Sequence, residues 1–133
     1  MKKIIVYISL ILWLSNCNKN NQQDIGKVKV PIENLVLAKE ACNSEVPWLL
    51  EIIAKANEDN ATKKYLGAYL GTIYLTTYKN SPVFVINMML NSGGVMFHAF
   101  DCNNLVLPLT NSEAIVFYEE IKTKGKIIYS NAP

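Results

Sequence analysis

The apolar residues of this 133-residue chain change their spacing near Ala68, and that change constrains the fold more than any other feature. Before it, Trp48, Leu49, Ile52, Ile53 and Ala56 recur at helical spacing, one stripe of an amphipathic helix. After it, "GTIYLTTY" places Ile73 and Leu75 on one side of a strand and Tyr74, Thr76 and Tyr78 on the other. "KNSP" breaks this strand, and "VFVINMML" follows with Phe84, Ile86, Met88 and Leu90 on one face. "NSGG" supplies turn positions with positive φ, "VMFHAF" returns, and "DCNN" is a second turn. "LVLPL" reads as a short strand that Pro108 limits or pushes to an edge. A second helix spans "SEAIVFYEEIKTK", capped by Thr110 or Asn111, with Ala114, Phe117, Tyr118 and Ile121 facing inward and Gly125 at the C′ position. "KIIYS" is a last strand. The expected class is α+β, an antiparallel sheet of three to five strands with two helices packed on one face.

The helix ends are also legible. Ser44 is the expected N-cap of the Trp48 helix, Glu45 favours its positive end, and Pro47 fits its first turn. Asn57 to Asn60 is the expected stop. Residues 25–41 are ambiguous. Val28 and Val30 alternate with Lys27 and Lys29 like a strand, while Pro31 equally opens a helical turn through Leu35 and Ala38.

The first residues point to export. Lys2 and Lys3 precede Ile4 to Leu14, an apolar segment too short to span a bilayer, which needs about 20 residues. Its apolar groups run all round with no polar face, the pattern of a secretory signal rather than of a packed helix. Leu14-Ser15-Asn16-Cys17 resembles the lipobox of bacterial lipoproteins. That resemblance implies cleavage before Cys17, diacylglycerol on its thiol and acylation of the new amino group, a multi-chain anchor of the kind that holds stably. Asn18 to Asp24 has no apolar side chain and reads as a tether. The expected organisation is a signal over residues 1–16, a tether over 17–31 and one α+β domain over 32–133.

Removing residues 1–16 takes two of the 13 lysines and no acids, leaving 11 lysines against 11 Asp plus Glu. There is no arginine in the sequence. Bidentate recognition of guanine and phosphate leans on that residue, and no basic run exceeds Lys63-Lys64, so nucleic acid is not an expected partner.

With Cys17 alkylated, Cys42 and Cys102 are an even pair in a compartment beyond cytosolic reductants. Both sit at ends of elements, where a bridge crosses from helix to sheet. Closing a loop of about 60 residues contributes roughly 4 kcal/mol on chain entropy alone. The alternative is two buried free thiols.

"CNSEVPWLLEII", "YKNSPVFVIN", "FHAFDCNN" and "KGKIIYS" together resemble a family of small Bacteroidota lipoproteins with a "PWL" helix, a tyrosine-rich hairpin and a turn of the "DC-x-G" kind. The resemblance covers residues 42–129 and implies a secreted, lipid-anchored α+β domain without an assigned activity. In such lipoproteins acidic residues just after the anchor mark surface export. Asp24 stands alone here, which points to the outer membrane facing the periplasm.

The inventory for catalysis is thin. His98 is the only histidine and lies in a strand. Glu119 and Glu120 diverge by about 100° on a helix and cannot flank one bond. No spacing for a metal site appears, and "NSGG" lacks the following helix that a phosphate loop needs. No catalytic residue, metal or cofactor is therefore expected. Tyr74, Thr76 and Tyr78 are the candidate binding face, because tyrosine is rigid and enriched at contact surfaces. Tyrosine is equally at home on an ordinary half-buried sheet. The expected function is a non-catalytic binding or inhibitor-like envelope lipoprotein with a protein, peptide or glycan partner. The alternative is a small periplasmic hydrolase acting on cell-wall or glycan material.

Overall fold

The structure is a computed structural model that describes residues 32–90 and 97–132. The expected signal, Cys17, the tether, the alternation at Val28 and Val30 and the turn at residues 91–94 lie outside the described residues. The elements are α1 (Ile32–Cys42), α2 (Pro47–Thr62), β1 (Thr72–Tyr78), β2 (Ser81–Asn87), β3 (His98–Phe100), α3 (Asn111–Lys124) and β4 (Lys126–Ser130). The strands form one antiparallel sheet in the order β3-β2-β1-β4. The fold is α+β.

Two helices, α1 and α2, share one face of the sheet, and α3, expected beside the Trp48 helix, covers the other. In β2 the run Val83-Phe84-Val85-Ile86 is buried throughout. Successive side chains point to opposite faces, so a strand buried at every position needs cover on both sides. Phe84 and Ile86 join Ile73, Leu49, Ile53 and Ala56 in a first core beneath α1 and α2. Val83 and Val85 join Ala99, Phe97, Phe117 and Ile121 in a second core beneath α3. Connectivity requires this. The chain leaves β3 at one edge of the sheet and re-enters as β4 beside β1, and α3 makes that crossing over the free face. Full burial of each large apolar side chain contributes about 2 kcal/mol before entropy is subtracted.

At β4 the ladder slips. Ile73 opposes Tyr129 while Tyr74 opposes Ile127, so Ile128 is an extra residue. Such a bulge lets two consecutive side chains face one way. Ile128 and Tyr129 accordingly both enter the first core, and Ile127 is left exposed.

Several local expectations shift by a residue or more. Residues 32–42 are helical, so that ambiguity ends in favour of a helix. Val46, not Ser44, is the N-cap of α2 and makes no side-chain cap, while Pro47 opens the helix with its preset φ. The Ser44 hydroxyl donates instead to Cys42 O. The helix runs through Asn57–Asn60 to Thr62 and closes at Lys63, φ 56°, whose N–H donates to Asp59 O. α3 begins with a capping box between Thr110 and Glu113. Gly125 is needed for space rather than for positive φ, because a Cβ there would lie 2.6 Å from Ile121 O. "LVLPL" is not a strand. Val106 makes a single bridge to Phe100, and around Pro108 the Leu109 N–H turns back onto Leu107 O.

Cys42 and Cys102 are joined in a disulfide with Cα atoms 5.7 Å apart, inside the span such a bond tolerates. Asp101 sets the turn that presents Cys102, its Oδ1 accepting from the Asn103 and Leu105 N–H groups. Trp48 Nε1 donates to Cys102 O, and its ring meets Phe84 edge-on at 5.5 Å. Bridge and indole together tie α1 and α2 to the far edge of the sheet.

Candidate functional site

Tyr74, Thr76 and Tyr78 do share one face of β1, as the alternation requires, but that face is not open. Tyr74 and Tyr78 pack against the second core under α3. The Tyr78 ring meets Phe117 at 5.2 Å, and its hydroxyl donates to Glu113 Oε1. α3 covers part of the face expected for docking, and there the two rings serve as packing with a polar tip.

What remains open lies along the margin of α3. A groove of about 400 Å³ runs over Tyr78, Ser112, Val116, Phe117 and Glu120. β4 begins opposite Leu75, so among the described strands none covers Thr76–Tyr78 on that side. A second notch of about 390 Å³ follows there, past Leu75, Thr76, Lys124 and Lys126. Glu120 borders both. The floor is aromatic and aliphatic, with Val116 itself 64% exposed, and the rim carries Glu120 paired with Lys124 at 3.8 Å. Thr76 and Tyr78 therefore contribute to the margin of the groove, whereas Tyr74 does not line it.

Glu113, which also lines the groove, is committed. It accepts from Thr110 N at 2.9 Å, from Thr110 Oγ1 at 2.8 Å and from Tyr78. The Thr110 amide and hydroxyl, then Tyr78 and Lys79, hold its pKa below the usual glutamate value against a smaller opposing effect of burial. It is an anchored anion, not a proton shuttle. His98 lies across the sheet on β3, where its ring stacks on Phe100. Glu119 pairs with Lys122 on the outer surface of α3. Among the described residues no group of three or more His, Cys, Asp or Glu is placed to hold a metal ion, and no helix is long and apolar enough to cross a membrane. Compared with family models, curated proteins and solved structures, the chain finds no significant match in any of the three.

Val116 was not singled out by sequence, and Glu120 was weighed only as half of a carboxylate pair, since on a helical wheel both fall on the outer side with the charged residues. Glu113 was within reach: Thr110-x-x-Glu113 is the spacing of a capping box. The grouping can bury an apolar side chain of a partner and pair with either charge at its rim.

Proposed function

We propose that this chain is a lipid-anchored envelope lipoprotein whose folded domain is a non-catalytic binding or inhibitor-like module. The observation that carries the reading is cysteine pairing. With Cys42 and Cys102 bonded to each other, Cys17 is the odd cysteine of the three, and it stands at the end of a lipobox-like stretch. A disulfide of this kind belongs to chains folded outside the cytosol, which agrees with export. The resemblance to small envelope lipoproteins points the same way, with the outer membrane facing the periplasm as the location. Protein, peptide or glycan is the partner class, and the α3 margin is the surface offered to it.

Two measurements test this. Wild type should incorporate labelled fatty acid and fractionate with membranes, and Cys17→Ala should do neither; acylation that survives Cys17→Ala overturns the anchor. Capture from solubilised envelope should lose its specific partner on Val116→Glu, a change at an exposed site that leaves the core intact. Equal recovery of every partner by both proteins removes the groove.

A further inference from the structure

Leu66 is 94% exposed. A single exposed leucine is ordinary, but the loop that carries it is not. Every amide from Lys63 to Leu70 is bonded. Lys63 donates to Asp59 O and Lys64 to Thr62 Oγ1. Tyr65 and Gly67 donate to Asp59 Oδ1, and Tyr69 donates to Oδ2. Leu66, Ala68 and Leu70 donate to the carbonyls three residues back. The buried Asp59 carboxylate thus grips the backbone on both sides of Leu66. Lys63, Leu66 and Gly67 all hold positive φ, at 56°, 56° and 84°. A leucine keeps that conformation only where its surroundings over-determine it. The loop holds an apolar side chain out in water rather than letting it fold back.

The surroundings of Leu66 have a definite chemistry. Lys63 and Lys64 precede it, and Lys55 lies over the Tyr69 ring at 5.8 Å. Tyr65 and Tyr69 pack edge to face at 5.0 Å and are each only partly buried. Glu58, paired with Lys64, is the one outward-facing acid from residue 55 to residue 70. Three lysines against Glu58 leave +2 outward, while Asp59 is turned in upon its amides. An apolar tip, two amphipathic rings and a cationic collar match the layers of an anionic bilayer surface.

The first described helix begins on the same border. Asn34, in the first turn of α1, donates to Ile128 O of β4. Three residues further along, Asn131 Oδ1 accepts from Gly71 N, and its Nδ2 donates to Tyr69 O. Three strand residues span about 10 Å. An anchor at Cys17, with a tether of about 20 Å r.m.s. reach, would therefore keep this loop within reach of the bilayer.

We propose that the Lys63–Leu70 loop docks the domain on an anionic membrane surface, Leu66 entering the interface with Lys63 and Lys64 among the headgroups. This rests on the lipoprotein reading only in that the anchor brings the loop to the surface. The test uses the full mature protein in vesicles with about a third anionic phospholipid. An environment-sensitive dye is placed at Leu66→Cys or, as a control on the opposite face, at Ile115→Cys. The dye at 66 should shift to the blue and be quenched by lipid-borne quencher severalfold more than the dye at 115. Lys63→Gln/Lys64→Gln should lower the docked-to-free ratio on the order of thirtyfold, from about fivefold per lysine. A dye at 66 as exposed as the dye at 115 overturns the proposal, and so does an equal response in zwitterionic vesicles. The mass of the same preparation reports acylation at Cys17, so failure of the anchor is read separately from failure of the loop to dock.

Discussion

The two faces of the sheet solve the same problem with different means. On one, α1 and α2 cover Ile73, Phe84, Ile86, Ile128 and Tyr129, and a disulfide with the Trp48 indole closes the layer. On the other, α3 alone covers Val83, Val85, Phe97 and Ala99, held by a capping box and by the Tyr78 hydroxyl on Glu113. One helix is narrower than a four-stranded sheet, so the second face keeps an open margin, and the groove lies in that margin. The stapled face is the foundation; the lightly covered face has surface left for recognition.

Neighbouring residues of β2 allow the comparison to be broken one face at a time. Phe84→Ala removes a ring fully buried against Trp48 and should cost about 4 kcal/mol. Val85→Ala, facing α3, should cost roughly 2 kcal/mol. Urea unfolding followed by far-ultraviolet circular dichroism measures both, and a Val85→Ala loss as large as that of Phe84→Ala, for far fewer carbons removed, would make the α3 face the more tightly packed one and reverse the comparison. Replacing both bridge cysteines by serine should cost about 4 kcal/mol, the chain-entropy figure for a loop of this length. Hydrogen exchange should show the loosening in α1 and around Cys102, with α3 protected as before.

Acid sharpens the comparison, because each face contains a depressed carboxyl held by backbone amides, Asp59 on one and Glu113 on the other. At Asp59 burial pushes the pKa up, but the Tyr69, Gly67 and Tyr65 amides, helped by Lys63, outweigh it, so the group titrates below ordinary Asp. Glu113 is lowered as well, chiefly by Thr110. A lowered folded value means that the unfolded chain binds more protons as pH falls. The stabilisation is therefore complete above the ordinary carboxyl range near pH 4 and is lost as pH drops through the lowered values. The thermal midpoint should fall with pH in that window, less steeply in Asp59→Asn, which starts lower. An unchanged slope in that variant would place the acid sensitivity elsewhere. The smallest effect is expected from Thr110→Ala, about 1 kcal/mol. It should fray the first turn of α3 and leave exchange under α1 and α2 unchanged.

Sequence periodicity by itself determined the two long helices, the first hairpin and the last strand, because amphipathic spacing is a local record of which side is buried. Leu49, Ile53, Phe117 and Ile121 are buried in the structure where helical spacing puts them. Cysteine count together with the lipobox-like stretch was enough to nominate the Cys42–Cys102 pair. Periodicity could not say which face of the sheet a given helix covers. That depends on β4 returning beside β1, a contact between residues more than fifty positions apart. For the same reason Tyr74 and Tyr78 read as exposed although α3 lies over them. Asp59 looked like a helix-ending acid, and only the folded loop brings three amides to its carboxylate. Local preference is written along the chain; the choice of a neighbour across the sheet is made only when the whole chain closes.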